Sequence, residues 1–171
     1  MIEGSRAYAY AKWCVMKNNW KVGKYVKLQA KAWLRIADGR HRKAEVSEKA
    51  YRKICKLLRL MVHPDLGCSM YDGLEDYAWF LIVAVFCTVR RDDGRRWYQT
   101  ALLEIARKNF KTFNSAVIFL IGMLSEPRFS RFFSVAPDYK LSSELRLAVR
   151  KIIKVSPALV KHFKVMRDMV T

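Results

Sequence analysis

The feature that most constrains this fold is a change of sequence period near Trp97. Before that point apolar residues recur at helical spacing; after it, two short extended runs alternate with helical patterns. Residues 97–105 read as a strand ended by a basic turn at 106–110. Residues 112–124 follow as a helix, with Phe113, Ala116, Val117, Leu120 and Leu124 on its inner face. A second strand over 130–135 is bounded by Pro127 and Pro137. Residues 141–154 then form an amphipathic helix that turns Leu141, Leu145, Ala148, Val149 and Ile152 inward. Ser156 followed by Pro157 marks the start of a last helix. This strand–helix–strand–helix order implies a parallel α/β unit with a right-handed crossover. Two strands are too few to complete it, because parallel sheets are covered on both faces and take several strands. The expected class is α/β with an incomplete parallel sheet, mostly helical by content: a basic helical region over 1–72, then the start of the sheet-bearing core over 73–171.

Upstream, residues 5–18 and 22–37 read as the first two helices, with stop signals at Asn18-Asn19 and Asp38-Gly39. On the second, Lys24, Lys27, Lys31 and Arg35 are spaced three, four and four apart and form a basic stripe. Tyr25, Leu28, Ala32 and Ile36 form an apolar stripe expected to face the core. A solvated face and a nucleic-acid contact surface both fit the basic stripe. A basic loop at 40–43 leads to a third helix capped by Ser47, with Tyr51, Ile54, Leu57, Leu58 and Met61 inward. Residues 64–73 make the best boundary. Residues 74–89 are apolar nearly all round and read as a buried helix, and 90–94 as a turn.

Hydrophobic residues make up 52% and charged residues 28%, a globular composition. The apolar run at 77–87 falls well short of the roughly 18–20 residues of a membrane span, so no membrane partner is expected. Net charge is +18, concentrated at the front: residues 1–60 hold 16 Lys+Arg against 4 Asp+Glu, and 61–171 hold 17 against 11. That excess favours a polyanionic partner, most simply nucleic acid. Cys14, Cys55, Cys68 and Cys87 lie far apart, as do His41, His63 and His162, so no spacing suggests a zinc site. Reduced, mostly buried thiols in an intracellular protein are expected.

Lys111-Thr112, opening a helix after a strand and a basic turn, has the layout of a phosphate-binding loop. In such a loop, backbone N–H groups at a helix N-terminus, a lysine and a hydroxyl meet phosphates. By itself the match is weak, since the pattern's glycine positions hold Ile105 and Phe110. Glycine lets the backbone approach the phosphate and take φ > 0 without penalty. Phe110 is expected to narrow the anion nest or turn it away. Asp92, Asp93 and Asp138 fit turns and helix caps better than catalysis.

Several segments in order resemble one family. Residues 21–31, beginning Lys21-Val22-Gly23-Lys24, are similar to its N-terminal helical lead-in. Leu74-Glu75-Asp76-Tyr77-Ala78-Trp79-Phe80 sits where it has a segment near the adenine. Ala106-Arg107-Lys108-Asn109-Phe110-Lys111-Thr112 resembles its deviant Walker A loop, and Phe133-Ser134-Val135-Ala136-Pro137 its next strand and exit loop. From about Tyr8 onward the chain thus resembles the N-terminal part of the ATPase region of tailed-phage large terminase subunits, the motors that package DNA into proheads.

The resemblance implies a P-loop NTPase-type parallel sheet, with ATP and Mg²⁺ as cofactors. Lys111 would contact the β/γ-phosphates, Thr112 would ligate Mg²⁺, and the amides of Lys108, Asn109 and Phe110 would line the nest. Arg107 would lie near the γ-phosphate as the catalytic cation. Implied partners are double-stranded DNA, the small terminase subunit and the portal, with self-association left open and the host cytoplasm as the place of action. The basic stripe of Lys24, Lys27, Lys31 and Arg35 is the expected DNA contact. The chain departs from the family at Phe110 and at Ala78, where an adenine-sensing glutamine is expected. A Walker B acidic pair, a coupling motif and a nuclease domain would lie beyond Thr171, so hydrolysis by this polypeptide alone is not expected. The alternative expectation is a small basic terminase-derived protein that binds DNA or a protein partner without ATP chemistry.

Overall fold

The computed structural model of the protein describes residues 2–127 and 130–164. It is mostly helical, with one two-stranded antiparallel sheet. The chain divides into two compact units, Met1–Ile54 with Leu74–Leu102 and Cys55–Gly73 with Leu103–Thr171. The chain therefore crosses between units three times, and the boundary expected at 72/73 lies beside one of these crossings.

The first unit begins with a short 3-10 turn (Ile2–Gly4) and holds α1 (Arg6–Cys14), α2 (Lys24–Ala37) and β1 (Ala44–Val46). It continues into α3 (Glu48–Leu60) as far as Ile54, and later adds α5 (Asp76–Cys87) and β2 (Thr88–Arg90). Ser5 caps α1 by accepting the Tyr8 N–H at 3.2 Å. Ala7 and Ala11, one turn apart and fully buried, let α1 pack closely on α5 and α2. Arg6 ties the helix starts together: Nε donates to Asp76 Oδ1 at 2.9 Å and Nη2 to the Leu74 carbonyl at 2.8 Å. At the core's centre, fully buried Trp33 meets Phe80 edge-on at 5.4 Å and donates its indole N–H to Thr88 Oγ1 at 3.1 Å. Both polar atoms are thereby satisfied away from water. At the end of α2, Tyr8 Oη donates to Asp38 Oδ1 at 2.8 Å, and Arg40 also pairs with that carboxylate. Burial opposes ionisation of Asp38, but these two bonds outweigh it and hold the carboxyl below its usual range.

β1 and β2 pair in antiparallel register, Ala44 with Arg90, Glu45 with Val89 and Val46 with Thr88. The Ser47 N–H to Cys87 carbonyl bond (2.8 Å) and the Arg91 N–H to Lys43 carbonyl bond (3.0 Å) extend the ladder. Ser47 also caps α3, accepting the Ala50 N–H. The turn after β2 closes on Gly94, whose φ of 69° suits glycine.

The second unit holds the end of α3, α4 (Met70–Gly73), α6 (Lys111–Ser125), α7 (Tyr139–Val155) and α8 (Pro157–Val160). Here α6 and α7 pack through Ala116, Val117, Leu120, Ile121, Val149, Ile152 and Ile153, all buried. Ser156, expected as a helix cap, makes no side-chain cap bond to α8. Its hydroxyl instead accepts the Val62 N–H at 2.8 Å and donates to the Ile152 carbonyl at 2.7 Å. His63 is buried: Nδ1 accepts the N–H groups of Asp65 and Leu66, and its ring lies 4.6 Å from Phe113.

Two expectations need correcting. Among the described residues no parallel sheet forms, and 97–105 and 130–135 carry no strand. A strand is stable only when a neighbour takes its backbone groups; here, among the described residues, only Trp97 finds one, donating its N–H to the Thr88 carbonyl at 2.9 Å. Leu102 and Val135, which a sheet would cover, are 88% and 92% exposed. The segment at 130–135 is held through a side chain instead. Phe132 lies so near α6 that a Cβ at Gly122 would be 2.9 Å from its ring, and it packs on Phe119 at 6.1 Å. The second correction concerns α2. Of the stripe Tyr25, Leu28, Ala32 and Ile36, only Ile36 is buried. The core face is Ala30, Trp33, Leu34 and Ile36, because the side of the helix bearing the large indole is the one that burial favours. Leu141, expected inward on α7, is also exposed.

Candidate functional site

Residues 106–112 form an exposed loop running into the first turn of α6. Two of its side-chain-bearing residues are left-handed: Lys108 at φ 65° and Phe110 at φ 55°. Asn109, between them, is not among the left-handed residues. An alternation of hand of this kind turns successive N–H groups toward one side, which is how backbone builds an anion nest. Phe110 is the N-cap of α6 (φ 55°, ψ 24°) and offers no side-chain cap bond, while its carbonyl accepts the Asn114 N–H at 2.8 Å. The amides of Lys111, Thr112 and Phe113 meet no acceptor among the described residues. These are the orphan donors that every helix start leaves.

The electrostatics at this end of α6 are unusual for an uncomplexed helix. Its first turn contains no acidic residue, and Arg107, Lys108 and Lys111 crowd its positive end. Each such cation is disfavoured there by about 0.3–1 kcal/mol at low ionic strength. An anion seated on the amides reverses that sign for all three. The Phe110 ring is 56% exposed and makes a T-shaped contact with Phe113 at 6.4 Å. Phenylalanine therefore occupies the backbone conformation that glycine takes freely.

Ala78 is buried in α5, so it offers no side chain to a base. The carboxylates are used structurally. Asp138 caps α7 through the Leu141 N–H at 2.8 Å, Asp93 accepts the Arg95 N–H at 2.9 Å, and Asp92 accepts the Asp93 N–H at 2.8 Å. No group of three or more His, Cys, Asp or Glu able to hold a metal occurs among the described residues. Thr112 is exposed at the second helical position, where its hydroxyl is free to meet a ligand or a ligand-borne cation.

The basic stripe is in place on α2 but has unexpected company. Lys24, Lys27 and Lys31 line a groove of about 380 Å³ together with Val15 and Leu28. Arg35 lies one turn further along and is exposed. None of the four cations has a carboxylate within ion-pair reach among the described residues. Sequence reasoning missed the apolar part of this surface. The signal was present in a second helical stripe through Ala30, Trp33 and Leu34, which competes with Tyr25 and Leu28 for the core.

No helix among the described residues is long and apolar enough to cross a membrane. No family model, curated protein or solved structure matches the chain.

Proposed function

We propose that this chain binds the phosphates of a nucleotide at residues 106–112 and serves in an ATP-driven DNA-packaging motor of the large-terminase type. The observation that carries this reading is the N-terminus of α6, which has three unaccepted amides, no acidic residue in its first turn, and three cations within the residues 107–111 that lead into it. On this reading Lys111 neutralises the terminal phosphates, and Thr112 is the residue whose hydroxyl would hold Mg²⁺. The amides from Lys108 to Phe113 hold the bridging oxygens, and Arg107 places charge where the transferring group develops it. When bound, the ion would supply positive charge against the phosphates. Residues 97–105 and 130–135 are, on the same reading, strands of a P-loop-type parallel sheet that pair when neighbouring strands are supplied. Double-stranded DNA is the polymer, attracted by the +18 charge.

The test is titration of a fluorescent, non-hydrolysable ATP analogue with Mg²⁺. Saturable binding that Lys111→Ala weakens by at least about tenfold is expected, corresponding to about 1.4 kcal/mol of charge-assisted contact. Absence of saturation, or indifference to Lys111→Ala, sinks the proposal. The burial of Ala78 favours a second reading, a basic binding protein without ATP chemistry. That reading expects DNA retention in the absence of any nucleotide affinity.

A further inference from the structure

All but the last residue of the α2 stripe that sequence pattern assigns to the core is open to solvent. Tyr25 is 81% and Leu28 54% exposed, and Ala32 continues the same stripe one turn on. Val15 and Leu28 are the apolar lining residues of the groove, and Lys24, Lys27 and Lys31 are the others. The surface is built, not frayed. Asn19 pins the turn between α1 and α2, donating to the Trp13 carbonyl at 2.8 Å and accepting the Lys21 N–H at 3.2 Å. That turn holds Trp20 in solvent with Lys21 over its ring.

Charge and apolarity together narrow the occupant. Between Gly4 and Ala37 the chain has Arg6, Lys12, Lys17, Lys21, Lys24, Lys27, Lys31 and Arg35 and no acidic residue. A DNA duplex would satisfy the lysines, but its phosphates gain nothing from Val15, Tyr25 and Leu28. Within the groove the apolar lining is aliphatic, Val15 and Leu28, and the exposed rings of Trp20 and Tyr25 are not part of it; unpaired bases prefer flat aromatic faces. A segment that carries apolar side chains between carboxylates uses both halves of the surface.

We propose that the α2 groove, together with the exposed Tyr25 on the same helix, docks an acidic, apolar-bearing segment of a protein partner, with Val15, Leu28 and Tyr25 burying its apolar side chains and Lys24, Lys27 and Lys31 pairing with its carboxylates. An amphipathic helix matches the geometry, since α2 itself spans 14 residues and offers contacts one turn apart. This surface is independent of the phosphate loop, and either can fail without the other.

The probe is a labelled synthetic peptide of about 14 residues with Leu at every third or fourth position and Glu between, roughly the length of α2. A control peptide has Ser in place of every Leu, and a duplex of about 20 base pairs serves as the competing polyanion. Anisotropy titrations against the full chain are expected to show the Leu/Glu peptide binding at least about tenfold more tightly than the Ser/Glu control. Tyr25→Ala with Leu28→Ala is expected to weaken the peptide about tenfold and leave duplex binding unchanged. Changing Lys24, Lys27 and Lys31 to Ala is expected to weaken the peptide and flatten its salt dependence. Leu28→Glu, a good helix former at an exposed site, should repel the peptide without disturbing the helix. Equal binding of the two peptides, or indifference to both Leu28 variants, overturns the proposal. A face that takes only the duplex, through the lysines alone, overturns it in favour of nucleic acid.

Discussion

Position 110 gives the sharpest test of the loop's geometry. Phe110 adopts φ 55° and ψ 24°, a left-handed conformation that costs a residue with a side chain about 1–2 kcal/mol. Its ring contact with Phe113, at 6.4 Å and largely in water, returns about 0.5–1.5 kcal/mol at most. Phe110→Ala keeps the backbone penalty and loses the contact, so destabilisation of about 0.5–1 kcal/mol is expected. Phe110→Gly loses the same contact but also the penalty, against about 0.5–1 kcal/mol for glycine's extra freedom in the unfolded chain. The ring contact cancels between the two variants. Glycine should then be more stable than alanine by roughly 0.5–1 kcal/mol, the reverse of the order at ordinary positions. For a chain of this size that is about 2 °C in Tm, measurable by thermal and urea melts followed by circular dichroism. Alanine equal to or more stable than glycine would refute the left-handed assignment and, with it, the nest. The glycine variant should also bind the ATP analogue more tightly, because it opens the backbone to the phosphate.

Two further predictions concern the scaffold. Thr88→Val keeps shape but removes the acceptor of the buried Trp33 indole N–H, and should cost about 1–3 kcal/mol in urea unfolding; an unchanged midpoint would mean the bond is not made. Burial holds the His63 imidazole below its ordinary value, Asp65 opposing and Lys151 adding to the effect. The unfolded chain therefore binds the proton first, and stability should begin to fall as pH drops below about 6.5 and level off once folded His63 titrates. Asp65, held low chiefly by the Lys151 hydrogen bond, adds a separate loss below about pH 3.9. Asn at position 63 supplies an oxygen acceptor for the Asp65 and Leu66 amides without titrating. A urea midpoint in His63→Asn that still steps near pH 6.5 would assign the effect elsewhere.

What was legible in the sequence is what short-range chemistry decides. The Ser47 cap, the turn closing on Gly94, the Asp138 cap and the burial of α5 each follow from residues within a turn or two of one another. The absence of strands at 97–105 and 130–135 was not legible, because a strand is a property of a pair. Residues 97–105 have strand-like composition, yet after the Trp97 N–H bond to the Thr88 carbonyl their backbone continues no ladder. The face of α2 failed for a different reason. Tyr25, Leu28 and Ala32 repeat at the helical period, but so do Ala30, Trp33 and Leu34, and periodicity cannot rank two stripes on one helix. Size decides: burying the Trp33 indole and satisfying its N–H on Thr88 outweighs covering a tyrosine and a leucine at the helix's open end. The loop combines both cases. Its cations and Lys111-Thr112 are plain in sequence, whereas the left-handed conformation of Phe110 at the start of α6 runs against what a phenylalanine prefers. A residue held against its own preference at a helix start crowded with cations is where backbone strain and anion affinity can be coupled, and the glycine variant measures both in one substitution.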